Sequence, residues 1–554
     1  MADPDRNAAL YALSDGYDVA GKGINGRRVA GQSFLQGYFR HADVDQVVSV
    51  SDSQKDGAAF ASLMQATSGA VQHPLRHVAQ HSAAQIAPLG VMFYPAPDFS
   101  ALAFQRQAFG HSAYGLCGIT HTTSTLAVMA GFFHLRTSPY QPWDAVICTS
   151  RAVKAACLYN LEHVDDYLSK TLGAGAVRRA LPLMPVIPLG LDVASYGRDE
   201  AARKSLRTRV GWGKKDVVFT TLARLLPYGK FDPAPYFIAL QAAQAELGKT
   251  RTLHVVMCGI YGDTHSQSVF EECARTLMPD VSFTHLDGAD ATARAEALSG
   301  GDVFSFPIDN IQETFGLAPV EGMAAGLPIL ASDWDGIRDT ITSDTGILIP
   351  TRMISGPASL PEGHGHFLGR LNYGQYGNNL SAMTVLDQSA MRTSILALAR
   401  DEGLRKRLGQ AGLARARAVF DWAQIIPAYQ DLWAEQNARR RAHAPLPPEA
   451  LTLSPPPAAL FAGYPSLRAP DGGMRVVANA PLPRLIEIYA LRRYEKIGSP
   501  FEKQSTLERI FTLIHEAGDA GITLPELCHS TGWPPATIER SVMFFLKYDL
   551  VRIP

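Results

Sequence analysis

Short, uninterrupted apolar runs alternate with longer amphipathic stretches through the first 440 residues, and this alternation limits the possible folds more than any other feature. Runs at 44–50, 89–94, 118–122, 145–149, 217–222, 253–258, 281–284, 303–306 and 328–331 read as strands. They lack the polar alternation of a half-exposed sheet, so both faces of each strand must be covered. Stretches such as 151–172 and 233–247 supply covering helices. The pattern predicts an α/β protein with parallel sheets. The strands are too many for one doubly wound sheet, no repeat of fixed period is visible, and 554 residues exceed one ordinary core. A strand ends in the Pro/Gly turn at 186–192, charged helical material follows at 200–210, and a new strand–helix series opens at Val217. Two α/β domains meeting near 190–215 are therefore expected, with ligands at the carboxyl ends of the strands in the cleft between them.

Composition narrows the class further. Hydrophobic residues make up 46% and charged residues 19%, as in a soluble globular chain, and the formal net charge of −1 draws it neither to nucleic acid nor to an anionic membrane. The cysteines (Cys117, Cys148, Cys157, Cys258, Cys273 and Cys528) form no CxxC pair, and several lie in apolar runs, so they read as core residues of a reducing compartment. The start, MADPDRNAAL, offers neither the basic nor the apolar region of a signal peptide, and no apolar stretch approaches the ~20 residues of a spanning helix. A cytoplasmic location is expected. The run Arg439-Arg440-Arg441 allows at most peripheral contact with the inner face of a membrane, and is otherwise a solvated helix end.

The chemistry concentrates in residues 309–328, DNIQETFGLAPVEGMAAGLP. A helix is predicted from about Leu317 to Ala325, with Pro319 in its first turn and Gly326 as terminator. The amides of Phe315, Gly316 and Leu317 then point from a helix N-terminus into the cleft, an anion site suited to a diphosphate. Glu313 precedes the helix and Glu321 lies about a turn inside it, so both can face one ligand at different depths. The competing reading is an ordinary strand–helix–strand unit with solvated glutamates.

Glu313 and Glu321 form the E-x7-E pattern of family 4 glycosyltransferases, and Gly316-Leu317, Met323-Ala324-Ala325-Gly326, Pro328 and the following SDWDG at 332–336 also resemble that family. The resemblance spans about residues 10–437. It implies the GT-B fold, two Rossmann-like domains facing across a cleft, and transfer of a sugar from a nucleotide diphosphate with retention of configuration. The acceptor would be a polysaccharide, lipid or protein. VVFTTLARLLPYGK at 217–230 is similar to the family's first C-terminal-domain strand with its Arg-x5-Lys pair, here Arg224 and Lys230. Two cations there stabilise the charge growing on the leaving nucleotide. The family's flanking glycines are replaced by Ala223 and Phe231, which leaves the loop's shape less defined than its charges. By the same resemblance His121, at a strand end, lies beside donor sugar and acceptor, with His111 and His134 as alternatives. The glycine-rich segment 15–27, with Gly21 and Gly23, takes the place of a loop that approaches the donor phosphate. Glu313 would bond donor-sugar hydroxyls and Glu321 the ribose. No metal and no resident cofactor are implied, and Asp165-Asp166 reads as a solvated helix pair.

These readings divide the chain into an N-terminal acceptor domain (1–190), a nucleotide-sugar donor domain (191–415), closing helices (416–440), a proline-rich linker or strapped-down segment (441–480) and a small, mainly helical unit (481–554). The helix–turn–helix order of the last unit resembles a winged helix. Its nine Lys/Arg balance nine Asp/Glu, a poor footprint for DNA, so a protein-contact or oligomerisation module is expected. The alternative is a non-catalytic regulator that senses nucleotide sugars and carries a helix-turn-helix.

Overall fold

The computed structural model describes residues 2–17, 26–68, 73–176, 180–227, 229–311, 313–492 and 500–554. Residues 1–453 form one compact unit and 454–554 a second. The larger unit contains two six-stranded sheets. In the first, β1 (Ala9–Tyr11), β2 (Val47–Ser51), β3 (Leu75–Ala79), β4 (Val91–Tyr94), β5 (Gly115–Ile119) and β6 (Ala145–Ile147) are ordered β3-β2-β1-β4-β5-β6. In the second, β7 (Val217–Leu222), β8 (Leu253–Gly259), β9 (Ser282–Asp287), β10 (Val303–Phe306), β11 (Ile329–Ser332) and β12 (Gly346–Ile349) are ordered β12-β11-β10-β7-β8-β9. All neighbouring pairs are parallel.

Each sheet therefore has the doubly wound order, and in each the strand order reverses at its centre, between β1 and β4 and between β7 and β10. This is the two-domain Rossmann-like GT-B architecture. The central strands are fully buried, as the unbroken apolar runs required. The segment 8–13, too short to read as a strand from sequence, holds β1 at the centre of the first sheet.

The helices that matter for the site are α1 (Gly26–His41), α2 (Arg151–Leu172), α3 (Pro233–Leu247), α4 (Ala291–Gly300), α5 (Leu317–Ala324), α6 (Leu360–Phe367), α7 (Tyr373–Ala382) and α8 (Trp422–Ala442). Helix α8 starts from the Asp421 cap and returns to the first sheet. There the Trp422 indole donates to Ser33 Oγ at 2.8 Å, and the Gln436 amide donates to the carbonyls of Leu116 and Trp143 at 3.0 and 2.9 Å. Phe34, Phe93, Tyr429 and Trp433 interlock beneath it as one aromatic cluster. The return crossing runs beside the linker between the lobes: the Leu191 amide donates to the Phe420 carbonyl at 2.8 Å and the Trp422 amide to the Leu191 carbonyl at 3.1 Å.

The stretch 441–480, expected as a linker or a strapped-down segment, divides between the two units. Leu446, Glu449 and Thr452 donate main-chain bonds to Ser112 Oγ, Gln107 O and Gln107 Oε1, which straps the proline-rich segment to the first lobe. Further on, β15 (Arg475–Ala478) is a strand, because it pairs antiparallel with β16 (Ile522–Thr523) and β17 (Val551–Arg552) of the smaller unit. In the larger unit, after β12, the antiparallel strands β13 (Thr351–Met353) and β14 (Thr384–Leu386) bracket the α6–α7 hairpin. The smaller unit adds α9 (Leu482–Arg492), α10 (Gln504–Glu516), α11 (Leu524–Thr531) and α12 (Pro535–Lys547) around a core of Leu485, Ile510, Phe511, Leu527, Val542 and Phe545. The Arg439-Arg440-Arg441 run is engaged with protein: Arg439 pairs with Glu435, Arg440 donates to Ser112 O, and Arg441 pairs with Asp5. Among the described residues, no helix is long and apolar enough to cross a membrane.

Candidate active site

The turns that leave β7 and β10 lie on either side of the second sheet's strand reversal, and they deliver most of the charged residues read from the sequence. Arg224 and Lys230 follow β7, while Glu313 follows β10. Helix α5 begins at Gly316, whose φ of 86° is left-handed and is open without strain to glycine. The chain can therefore turn sharply and present residues 315–317 at the helix start. The next loop packs directly on this turn: a Cβ on Gly336 would lie 2.2 Å from the Thr314 carbonyl oxygen. No larger residue fits there without moving the turn.

A cleft of about 640 Å³ collects these residues. Arg224, Lys230, Glu313, Phe315, Gly316, Leu317 and Glu321 line it from the second lobe, and His121 lines it from the first. Lys230 and Glu313 form an ion pair with both side chains mostly buried. Glu321 sits deeper and accepts a hydrogen bond from the Tyr196 hydroxyl at 3.3 Å. Burial pushes the Glu321 carboxyl up to about 7, against the lowering effects of that bond and of the Arg294 charge. Burial likewise raises Asp309 to about 7, although it accepts from Ser381 Oγ and the Asp232 amide. Asp335, at a left-handed φ of 42°, is raised to about 8 by burial and then by the neighbouring charge of Glu313. Burial thus raises three acids of the second lobe, of which Glu321 lines the cleft.

The lobes touch across the cleft mouth. Thr314 Oγ1 donates to the His121 carbonyl at 2.8 Å, and Arg151 at the start of α2 pairs with Asp339 at 2.7 Å. The Tyr373 hydroxyl lies 3.0 Å from Thr122 Oγ1 and 2.9 Å from Ser124 Oγ.

Gly21 and Gly23 fall outside the described residues. His111 is buried under the proline-rich strap against Glu449, and His134 lies 3.7 Å from Asp98; neither is among the residues lining the cleft. Asp165 is not a solvated charge: it pairs with the mostly buried Arg136. Sequence reasoning missed Tyr196, Arg294 and Tyr373. Tyr373 starts α7 in a stretch with no motif, and Arg294 reads as an ordinary helix-surface charge, so neither carried a signal.

A protein with this fold and this cleft is of the GT-B class. Residues 225–359 match the family model described as "Glycosyl transferases group 1", a span that includes Lys230, Glu313 and Glu321. Among curated proteins the chain is similar to the D-inositol 3-phosphate glycosyltransferase of Corynebacterium glutamicum (strain R), 24% identical over 266 residues, covering 47% of this chain and 54% of that protein. It is also similar to the phosphatidyl-myo-inositol mannosyltransferase of Mycobacterium leprae (strain TN), 29% identical over 151 residues, 26% of this chain and 30% of that one. The chain thus spans about half the length, or less, of these curated relatives. The crystal structure of Anabaena Alr3699/HepE in complex with UDP-glucose superposes with a TM-score of 0.45 at 16% identity, over 76% of this chain and 98% of that one.

Proposed function

We propose that the chain is a retaining glycosyltransferase of the family 4 type, moving a sugar from a nucleotide diphosphate to a polysaccharide, lipid or protein acceptor. The observation that carries this reading is the convergence of Arg224, Lys230, Glu313, Glu321 and the start of α5 on one cleft at the strand reversal of the second sheet. A diphosphate laid against residues 315–317 meets the helix N-terminus and both cations, so the charge that grows on the leaving nucleotide is met as it forms. Glu313, released from Lys230 when the phosphates take that cation, bonds the donor-sugar hydroxyls. Glu321 bonds the ribose. His121 steadies the sugar or the incoming acceptor from the first lobe. On this reading the nucleotide sugar is a co-substrate, and no resident cofactor or metal takes part.

The same reading divides the larger unit into an acceptor domain (1–190), a donor domain (191–415) and closing helices (416–440), in a cytoplasmic protein. Helices α9–α12 and the three antiparallel strands suit a winged-helix-like module for contact with protein. The exposed side of α12 mixes Glu539, Arg540, Met543 and Lys547, which does not favour DNA and so does not favour a regulator.

The test is release of nucleoside diphosphate from a panel of UDP-, GDP- and ADP-sugars in the presence of saccharide and lipid acceptors, with the product anomer read by NMR. Acceptor-dependent release with retained configuration is expected, and Glu313→Gln should reduce it by about a hundredfold or more. Unchanged turnover in Glu313→Gln, or an inverted product, would overturn the assignment.

A further inference from the structure

Asp309 is a buried acid to which the reading above gives no part. It is 3% exposed and is not among the residues lining the cleft. Its two carboxyl oxygens take different donors: Oδ1 accepts from Ser381 Oγ, close to the end of α7, and Oδ2 accepts from the Asp232 amide at 3.3 Å. Ser381 is 2% exposed, so bulk water does not stand in for it. The turn after β7, which carries Lys230, the turn after β10, which carries Glu313, and helix α7 therefore meet at one buried carboxyl. At its other end α7 presents the Tyr373 hydroxyl to Thr122 and Ser124 of the first lobe.

We propose that Asp309 is a positioning residue for the transfer reaction: anchored on α7 through Ser381, it holds the turns of Lys230 and Glu313 in register. This rests on the donor reading above, in which those two side chains meet the diphosphate and the sugar.

Lys230 and Glu313 lie 83 residues apart in the chain and touch through the ends of long side chains. Their ion pair opens when the phosphates take the lysine, so it cannot set the spacing of the turns while donor is bound. Asp309 can, because it joins a main-chain amide and a buried hydroxyl that the donor does not displace. Turns left unanchored would have to be ordered anew at each binding event, which costs affinity. The Ser381 hydroxyl either donates or accepts, so the joint persists whether Asp309, which burial pushes up to about 7, is ionised or neutral. The same property lets asparagine replace it, with its oxygen on the Asp232 amide and its NH2 on Ser381 Oγ. Alanine leaves both donors without a partner.

The experiment uses the full chain as wild type, Asp309→Ala, Asp309→Asn and Ser381→Ala. Titration calorimetry with UDP, GDP and ADP gives affinity and sites per chain, and steady-state release of nucleotide gives kcat and both KM values. Asp309→Ala and Ser381→Ala should keep one site per chain, bind the preferred nucleotide about tenfold more weakly and lose about tenfold or more in kcat, with acceptor KM within about twofold. Asp309→Asn should recover most of both losses. If Asp309 only supports folding, the variants will show fewer sites per chain and a lower melting temperature, with unchanged affinity and KM in the sites that remain, and the inference is overturned. An Asp309→Asn protein as poor as Asp309→Ala also overturns it, because charge and not the joint would then matter. Should Asp309→Ala fail to fold, Ser381→Ala, which keeps the carboxyl and its bond to Asp232, decides by the same readings. Failure of wild type to bind any of the three nucleotides removes the donor reading and this inference together, whereas wild-type binding with unaltered affinity and kcat in the alanine variants removes the inference alone.

Discussion

Glu321→Gln should make the unliganded protein more stable and a poorer enzyme. Burial raises the Glu321 carboxyl from 4.5 to about 7, so ionising it in the folded chain costs about 3 kcal/mol more than in the unfolded chain. Because the folded pKa is the higher one, the folded state holds its proton longer. Stability from this group is therefore greatest below about 4.5, falls as pH rises towards 7, and is flat above it. Glutamine keeps the shape and can still accept from the Tyr196 hydroxyl, but carries no charge to desolvate. The gap between variant and wild type should be about 1 kcal/mol at pH 5 and about 3 kcal/mol at pH 8. With ~2.1 cal/mol/K of unfolding entropy per residue, the larger unit of residues 1–453 gains about 1 °C per kcal/mol, hence about 3 °C at pH 8. Scanning calorimetry of both proteins at pH 5, 6, 7 and 8, without nucleotide, reads this directly. Nucleotide affinity should fall in the variant at pH 8, because ribose hydroxyls bond a carboxylate more strongly than an amide. An equal or lower melting temperature for Glu321→Gln at pH 8 would refute the reasoning, since it would mean that Glu321 is not held against its ionisation.

Lys230→Ala leaves Glu313 without its ion-pair partner and, on the proposed reading, removes a cation of the diphosphate. Turnover should drop about a hundredfold, with donor KM raised, in steady-state nucleotide release. Tyr373→Phe removes only the hydroxyl that meets Thr122 and Ser124 across the cleft. It should cost about 1 kcal/mol of stability in denaturant titration and loosen acceptor binding more than donor binding, seen as a larger rise in acceptor KM than in donor KM.

The central strands of the second sheet were legible because they are buried on both faces and read as unbroken runs; Val217–Leu222, for example, is bounded from sequence as it is in the fold, whereas the half-buried edge strand β12 was not read. Strand β1 was hidden by its length, since three residues carry no period even at a sheet centre. Strand β3 was hidden for another reason. It is an edge strand, and Arg76 and His77 break its apolar pattern where one side faces away from the core. The site divides the same way. Glu313, Glu321 and the start of α5 are local, so spacing reveals them. Arg294 and Tyr373 join the cleft only through long-range folding, one by the bend at Gly288 and one by the hairpin between β13 and β14. A single sequence contains no period that encodes such contacts.

On the proposed donor reading, the Lys230–Glu313 ion pair lets the donor's own phosphates arm the site. With no ligand bound, each charge neutralises the other, so neither is left buried and alone, which would cost several kcal/mol. A diphosphate offers Lys230 more charge than one carboxylate does, and the start of α5 adds to the exchange. Glu313 then loses its cation while Asp335 sits beside it, raised to about 8 and so mostly protonated at neutral pH. A neutral Asp335 does not repel the freed carboxylate. As pH rises through about 8, Asp335 ionises and its charge meets that of Glu313. On the proposed reading, the useful range of the site therefore lies on the acid side of that value, and the burial of Asp335 sets the limit.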